Sequence, residues 1–532
     1  MKRILLLALF LAAAASGRKF YPDDPVARMP DPLRVEDARP RKLNDYYDFF
    51  QLTFFKVGER QKPGKPVPAQ AVNTLGEVPD SSWYTNRHGS KRLSRRELVR
   101  GPGEDNAPDA GPWEVTEAKN EGVTPGFTIR DARGNRYKLK FDPLSNPEMA
   151  TAADVIGSKF FHALGYNVPE NYLVTFPRER LVLRKGGVEF IDAFGKRRRM
   201  TGRDVDEILL KVPRTADGRL RGVASYYLRG KLLREFRFHG ARKDDPNDIV
   251  PHEHRRDLRG LFVFCAWLGH DDSRAINTMD AVVEEAGLNY IRHYLIDFGS
   301  ILGSASTKPN SPRSGNEYLF SWRPAAMELF TLGLYVPRWA RARYPHLPSV
   351  GLFESRLFDP ERYHTEYPNP AFNNRLPDDT YWAAKKVMAF SDGDIRAIVE
   401  TGEYSDPRAR EWVAECLIER RDKIGRTYFD KVLPLDHFRV EDERLHFEDL
   451  AAAYGFREAA KLSVAWSRFD NETEARTPLA GSGFRLPDAA LAASAGEYFA
   501  ADIHSENPGR SVRVYLRRTP AGFEIAGIDR TW

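Results

Sequence analysis

Three short segments with strand-like patterning follow one another from residue 113 onward. Trp113–Glu117, Phe127–Arg130 and Tyr137–Phe141 alternate apolar with polar positions or are rich in β-branched and aromatic residues. Turn-forming pairs such as Pro125-Gly126 separate them. The pattern predicts a β-meander of three strands.

The apolar spacing then becomes helical. A helix is predicted from Pro147 to the stop signal at Gly165, because apolar residues recur there every three or four positions. A second helix is predicted over Asp257–Gly269 on the same grounds. Between the two helices, Tyr172–Phe176 and Val223–Leu228 have the composition of strands.

A polar loop, His270–Asn277, follows the second helix and leads into a predicted hairpin. The strands of this hairpin are Thr278–Val283 and Tyr290–Ile296. From there to about Val440 the pattern is helical with Pro-rich connections, and short strands such as Ser511–Arg517 return near the end of the chain. These elements predict an α+β protein in which a β-rich lobe precedes a helical lobe.

The predicted segments differ in texture. The Trp83-Tyr84 pair is the predicted anchor of an N-terminal arm that has few periodic apolar stretches apart from Asp45–Val57. The segments are a signal peptide at 1–16, an extended Pro-rich arm at 17–110, the β-rich lobe at 111–229, the helical lobe at 230–440 and a small β-rich segment at 441–532.

Composition and charge narrow the function classes. Hydrophobic residues make up 42% of the 532 residues, which is enough for a sizeable core. The net charge of +6 is small, and acids and bases are mixed along the chain, so nucleic acid is not an expected partner. Cys265 and Cys416 are too few for a disulfide framework, although a single bridge between them stays open.

The N-terminus has the order of a secretory signal. Met1-Lys2-Arg3 is basic, Ile4 to Ala15 is apolar, and small residues follow. Twelve apolar residues are too few for a transmembrane helix, which needs about twenty. We expect an exported protein, periplasmic or extracellular, without a transmembrane anchor.

The predicted chemistry is centred on the stretch from His270 to Gly299. Asp272 and Asn277 have the D-x-x-x-x-N spacing of a kinase catalytic loop. The hairpin then delivers an apolar strand that ends in Asp297-Phe298-Gly299. A helix–loop–hairpin–loop unit brings both loops to one end of the hairpin, so Asp272 is the candidate catalytic residue, and Asn277 and Asp297 are the candidate metal ligands.

Upstream residues offer a phosphate-binding lysine. Lys138 and Lys140 lie on one face of the third strand, and Lys140 is the preferred candidate. Glu148 on the next helix is its expected ion-pair partner, with Asp154 in reserve. The turn between the first two strands, which contains Gly122 and ends at Gly126, is a weaker candidate for a loop that closes over phosphates.

These residues together resemble protein-kinase-like folds, in particular the branch that holds the HipA toxin kinases, the spore-coat CotH kinases and the secretory-pathway kinases. The resemblance covers residues 113 to about 440. It implies a two-lobed kinase-like fold, ATP or another nucleotide with Mg²⁺ or Mn²⁺ as cofactor, Asp272 as the catalytic base, Asn277 and Asp297 on metal, and Lys140 with Glu148 on the phosphates. Residues 270–272 are His-Asp-Asp rather than His-Arg-Asp, the glycine loop is altered, and no Ala-Pro-Glu ends an activation segment.

Two alternatives accompany the hypothesis of an exported phosphotransferase with a protein or small-molecule acceptor. Because ATP is scarce outside the cytoplasm, the first alternative is a kinase-fold binding or scaffold protein with little or no turnover. The second is a metal-dependent phosphohydrolase. Its ligand order is provided by His252, His254, His270, Asp271 and Asp297.

Overall fold

The chain forms two compact units. The computed structural model describes residues 17–29, 33–59, 66–118, 125–191, 196–332 and 334–532, so the predicted signal peptide at 1–16 lies outside the described residues. One unit combines the N-terminal residues through Val26 with Asn73–Glu77 and Val432–Trp532. The other comprises Ala27–Val72 and Val78–Lys431. Across the described residues, no helix combines the length and the apolar character that crossing a membrane requires.

The larger unit contains the first eleven strands and the first ten helices of the described chain. The strands are β1 Trp113–Ala118, β2 Gly126–Arg130, β3 Arg136–Lys140, β4 Asn171–Phe176, β5 Leu181–Leu183, β6 Glu189–Ile191, β7 Arg197–Arg199, β8 Leu220–Tyr226, β9 Lys231–Arg234, β10 Thr278–Glu285 and β11 Leu288–Leu295. The helices are α1 Asp45–Phe50, α2 Arg95–Arg100, α3 Met149–Ala163, α4 Gly202–Leu209, α5 Arg256–Leu268, α6 Trp322–Phe330, α7 Pro370–Asn373, α8 Pro377–Met388, α9 Asp392–Glu400 and α10 Pro407–Phe429.

A six-stranded sheet forms the β-rich lobe, in the order β4-β8-β3-β2-β1-β5. The predicted meander is confirmed, since β1 pairs with β2 and β2 with β3, both antiparallel. The apolar faces of these strands, including Phe127, Ile129 and Leu139, pack into one buried cluster with Val205 and Leu209 of α4. This packing fixes β3 in the middle of the sheet, and Lys140 ends β3.

The helical lobe is built around α5, which is buried along its whole length. Its apolar residues meet α8 and α10, and Gly260 packs so closely that an added Cβ would lie 2.5 Å from the Trp382 ring. Cys265 and Cys416 are both buried free thiols. The predicted hairpin is confirmed as β10 and β11, which pair from Thr278↔Leu295 to Glu285↔Leu288.

The arm has more structure than its composition suggests. Asp45–Phe50 forms α1 and continues as one turn of π-helix over Gln51–Phe55. Ser94 and Glu97 form a capping box at the start of α2. The Trp83 ring stacks on His293 with centroids 3.5 Å apart, and both Trp83 and Tyr84 are buried, so the pair is packed within the larger unit.

The smaller unit is a β-rich body. Its elements are β12 Leu435–Glu441, β13 Arg444–Asp449, α11 Leu450–Ala453, β14 Leu462–Phe469, β15 Arg476–Leu479, α12 Asp488–Leu491, β16 Tyr498–Ser505, β17 Ser511–Thr519 and β18 Gly522–Thr531. Five strands form one sheet in the order β15-β14-β16-β17-β18. Phe20, from the start of the described chain, is buried against Phe469, Tyr498 and Tyr515. The boundary between the units falls after Lys431, whereas the texture of the sequence places it after residue 440.

Candidate active site

Lys140 lies at the centre of the site. As the last residue of β3 it is paired with Gly126 on one neighbouring strand and with Val223 on the other. Its Nζ donates to Asp154 Oδ2 at 2.9 Å and to Asp297 Oδ1 at 2.8 Å. Burial alone would lower the pKa of Lys140, but the two carboxylates outweigh it and hold the pKa above its ordinary value. The lysine is therefore charged and positioned.

Asp154, in the second turn of α3, ties the lysine to the rest of the site. Its side chain is 1% exposed. While Oδ2 accepts from Lys140, Oδ1 accepts from the Phe298 backbone N–H at 3.1 Å and from Asn171 Nδ2 at 3.0 Å. One buried carboxylate thus links β3, β4 and the turn after β11.

Glu148 does not occupy the position expected of it. It precedes α3 as the N-cap residue with a left-handed φ of 69°, and its Oε2 accepts from the Ser405 backbone N–H at 2.9 Å. The first N–H groups of α3 are capped from outside the helix by Asp142, which accepts from Ala150 and Thr151. The ion pair with Lys140 is therefore made by Asp154, the reserve candidate, one helical turn and a half further along.

The polar loop after α5 meets the turn after β11, as the sequence predicts. Gly269 ends α5 in the left-handed region with a φ of 68°, where a glycine is favoured. The Ile296 N–H donates to the Asn277 carbonyl at 3.0 Å, and Ser300 Oγ donates to Asp272 Oδ2 at 3.1 Å. Asn277 Nδ2 donates to the Asp272 backbone carbonyl at 2.7 Å, which orients the amide from within its own loop.

Arg274 is a site residue that the sequence analysis did not single out. Its guanidinium binds Asp272 through Nε, Asp45 of α1 through Nη1 at 2.7 Å and Glu366 through Nη1 at 3.0 Å. Its position two residues after Asp272 is the only sequence signal for this role. The arm contributes directly here, because Asp45 also accepts from the Tyr367 hydroxyl at 2.8 Å.

Asp271 of the 270–277 loop and the nearby Glu366 have raised pKa values. Burial raises the pKa of Glu366 to about 7, against the opposing effect of Arg274. Burial also raises the pKa of Asp271 to about 6, although the Ser314 hydroxyl and the Asn310 amide donate to it. Both carboxyl groups therefore titrate near neutral pH. Asp271 adjoins Asp272 in the chain, and Arg274 connects Glu366 to Asp272.

The Asp297-Phe298-Gly299 turn is held by aromatic packing. Asp297 has a φ of 64°, which directs the chain into a short turn of 3₁₀ helix. Phe298 is fully buried and stacks on Phe161 of α3 with centroids 4.9 Å apart. The α3 helix can approach this closely because residue 157 is glycine. A Cβ added at position 157 would lie 2.7 Å from Phe298 Cβ.

Some predicted candidates take other positions. Lys138 donates to Thr128 Oγ1 at 3.0 Å and lies 3.6 Å from Glu117, so its charge is satisfied on the sheet surface. Gly122 lies outside the described residues, whereas Gly126 begins β2 directly across from Lys140. This register puts the end of the predicted phosphate loop next to the lysine.

The ligands of the alternative phosphohydrolase are not brought together. His252 binds the Arg237 carbonyl through Nδ1 and Asp248 through Nε2, and His254 Nδ1 accepts from Arg259. His270 is buried between Phe161 and Phe298. Among the described residues, no three His, Cys, Asp or Glu side chains are grouped as a metal site. The structure therefore gives this alternative no support.

The donor set at the loop junction suits a hard cation. Mg²⁺ and Mn²⁺ prefer oxygen ligands, and Asp297 offers a carboxylate that is 47% exposed beside the Asn277 loop. Asn277 uses its amide nitrogen within the loop, so its carbonyl oxygen is the atom with ligand chemistry. The oxygen atoms of these two residues have the ligand chemistry that a divalent ion prefers.

The β-rich lobe carries Lys140, and α3 supplies the Asp154 carboxylate that pairs with it. The helical lobe bears both loops of the site. The chain has a two-lobed protein-kinase-like fold. No protein-family model matches it, and no curated protein sequence matches it.

Three solved structures that resemble the chain are kinases. The proinflammatory kinase CtkA of Helicobacter pylori is 12% identical, with 60% of this chain and 97% of that chain covered and a TM-score of 0.30. The Golgi casein kinase is 8% identical, with 63% and 75% covered and a TM-score of 0.29. The same enzyme with Mn/ADP bound gives 8% identity, 62% and 76% coverage and a TM-score of 0.27.

Proposed function

We propose that this protein is an exported kinase-like phosphotransferase that uses a nucleoside triphosphate with Mg²⁺ or Mn²⁺. One observation carries the proposal. Lys140 Nζ is held 2.9 Å from the buried Asp154 and 2.8 Å from Asp297, at the junction where the Asp272 loop meets the Asp297 turn. Phosphoryl transfer needs a lysine, two metal-binding groups and a carboxylate for the acceptor in this mutual arrangement.

Each residue has a distinct role in the proposed reaction. Lys140 neutralises phosphate charge, and Asp154 keeps it in place. Asp297 and Asn277 hold the divalent ion, which supplies positive charge to the phosphates. Asp272 accepts the hydrogen bond of the acceptor hydroxyl and takes its proton as the phosphoryl group is transferred.

Arg274 acts as a positioning residue for Asp272. Its guanidinium fixes one carboxylate oxygen, and Ser300 binds the other. The same guanidinium also binds Asp45 and Glu366, so it ties the Asp272 loop to α1 and to the segment that contains Glu366.

Export is the second part of the proposal. It rests on the basic, apolar and small-residue order of positions 1–17. The acceptor is a protein or a small molecule outside the cytoplasm.

A second candidate function is a kinase-fold binding protein with weak or no turnover. The observation that favours it is the engagement of Asp272 by both Arg274 and Ser300, together with the direct Lys140–Asp297 ion pair. In such a protein the nucleotide would bind without transfer.

Thermal unfolding with nucleotide separates these functions. We expect ATP with Mg²⁺ or Mn²⁺ to raise the thermal midpoint of the wild-type protein. At a hundredfold excess of nucleotide over Kd, the free energy of unfolding should rise by about 2.7 kcal/mol. Asp297→Asn should abolish the shift, whereas Asp272→Asn should keep the shift and abolish phosphate transfer, measured with labelled ATP. A shift without any transfer favours the binding protein. Absence of a shift with every nucleotide and metal tested contradicts both.

A further inference from the structure

An exposed aromatic surface lies beside the catalytic loop. It is formed by Tyr46, Phe50 and Phe55 of the arm and by Trp322 and Phe330 of α6, and we call these residues the aromatic surface. Tyr46 is 87% exposed and Phe330 is 82% exposed, although both are side chains that water disfavours. Large contiguous patches of this kind mark interaction sites.

Ring contacts join the arm to α6 into one surface. Phe50 lies 5.0 Å from Phe54, Phe54 lies 5.2 Å from Phe320, and Phe320 lies 4.9 Å from Trp322, all between ring centroids. The two elements are far apart in sequence, so their aromatic residues are brought together by the fold. The surface is therefore a tertiary feature of the larger unit.

The α1 helix is amphipathic in the opposite sense to an ordinary surface helix. Its acids point inward, where Asp45 binds Arg274 and Tyr367, and Asp48 is buried 3.8 Å from Arg237. Tyr46, Tyr47 and Phe50 are exposed on its outer side, whereas Phe49 packs on Tyr367. A helix that buries its charges and exposes its rings is suited to an apolar or interfacial environment on its outer side.

Exposed bases flank the aromatic residues in the sequence. Lys56 follows Phe55 directly, and Arg338, Arg341 and Arg343 follow α6. Between Leu319 and Arg343 the sequence has four arginines and one acid, Glu328. Rings of Trp, Tyr and Phe flanked by Lys and Arg form the composition that settles at the headgroup level of an anionic bilayer.

We propose that the aromatic surface docks this protein onto an anionic lipid bilayer. The rings insert at the boundary between headgroups and acyl chains, and Lys56 and the arginines after α6 contact the phosphates. The inference does not rest on phosphotransfer. It does place the catalytic loop near the bilayer, because Asp45 of α1 is bound to Arg274.

Vesicle flotation tests the proposal. The mature chain from Gly17 onward is mixed with vesicles of phosphatidylglycerol and phosphatidylethanolamine, or of phosphatidylcholine alone. We expect binding to the anionic vesicles, weakened by salt, and weaker binding to phosphatidylcholine. Phe50→Ser with Phe330→Ser should lower the partition coefficient by about tenfold for each large side chain removed.

A matched variant controls for exposed apolar residues in general. Leu210 and Ile249 are 76% and 81% exposed and lie outside the aromatic surface, so Leu210→Ser with Ile249→Ser should float like wild type. Equal thermal midpoints for all three proteins verify folding. Failure of wild type to float, equal loss in both double variants, or a dimer in light scattering that only Phe50→Ser with Phe330→Ser dissolves would each overturn the proposal.

Discussion

Lys140 is fixed by carboxylates from two different elements, and this divides the work of the site between them. The Asp154 side chain is buried, whereas the Asp297 side chain is about half exposed in the turn after β11. We expect an incoming cation or phosphate to compete for Asp297 and Lys140 rather than for the buried Asp154. We therefore propose that Asp154 positions the lysine and that Asp297 binds ligand.

Replacing Asp154 and Glu148 one at a time tests these roles. Asp154→Asn removes the buried partner of Lys140, and we expect nucleotide affinity to fall roughly tenfold, since a charge-assisted hydrogen bond is worth about 1.5–3 kcal/mol. Glu148→Gln should leave affinity near wild type, because the Glu148 side chain accepts from the Ser405 backbone N–H and does not hold Lys140. Equal losses of nucleotide affinity in both variants would contradict the distinct positioning role of Asp154.

Glu366 gives the larger unit a pH dependence of known sign. Because the fold raises its pKa from 4.5 to about 7, the folded state holds a proton that the unfolded state releases, so its contribution to stability falls as pH rises through that window. Glu366→Gln should therefore be more stable relative to wild type at pH 8 than at pH 5, by thermal midpoint. A difference that does not vary with pH would contradict the raised pKa.

At the scale of elements, the close approach of α3 to the Asp297 turn is what aligns the two lobes of the site. Gly157 permits this approach, and Phe298 and Ile301 fill the space in front of it. Asp154, three residues earlier on the same helix, binds the backbone of that turn. Helix, turn and lysine thus form one rigid group.

A methyl group at position 157 should disrupt this group. The Cβ of Gly157→Ala would lie 2.6 Å from Ile301 Cδ1, so we expect a loss of about 1–3 kcal/mol in unfolding free energy despite a helix-propensity gain of up to ~1 kcal/mol. Gly202→Ala, in the first turn of α4, meets nothing within 4 Å and should be neutral or stabilising. Calorimetry of both variants provides the comparison. Unchanged stability of Gly157→Ala would show that the turn can move away.

The elements with strong periodicity could be predicted, and the contacts that join them could not. The meander, α5 and the hairpin follow from local spacing, and the order of Asp272, Asn277 and Asp297 follows from the hairpin. The pairing of Lys140 with Asp154 depends on how far α3 is shifted along β3, which is set by the external cap from Asp142. Arg274 was missed because its partners Asp45 and Glu366 are distant in sequence.

At the scale of the whole molecule, the chain crosses between its two units more than once. Residues near the start and at Asn73–Glu77 belong with the C-terminal strands, whereas the rest of the arm belongs with the kinase-like unit. Thr74 shows the reason, since its carbonyl accepts from Ile528 and its hydroxyl donates to the Ala526 carbonyl. Composition alone groups the whole arm together and does not contain this information.

The first described residues should therefore stabilise the smaller unit. Phe20→Ala removes a buried ring, and we expect the stability of that unit to fall by about 3–5 kcal/mol. Tyr21, which is 53% exposed, provides the control, because Tyr21→Ala should change little. In calorimetry, the unfolding transition of the smaller unit should move to lower temperature. The nucleotide-dependent shift of the larger unit should persist. Loss of that shift in Phe20→Ala would contradict the division into units.

Nucleotide affinity of a matched lysine pair tests the central claim most directly. Lys138 and Lys140 share one strand and one face, but only Lys140 contacts Asp154 and Asp297. By calorimetric titration with ATP and Mn²⁺ or Mg²⁺, we predict that Lys140→Met loses about tenfold or more in affinity while Lys138→Met stays near wild type. Equal affinities in all three proteins, or no binding by wild type with either metal, would contradict the proposed phosphotransferase site.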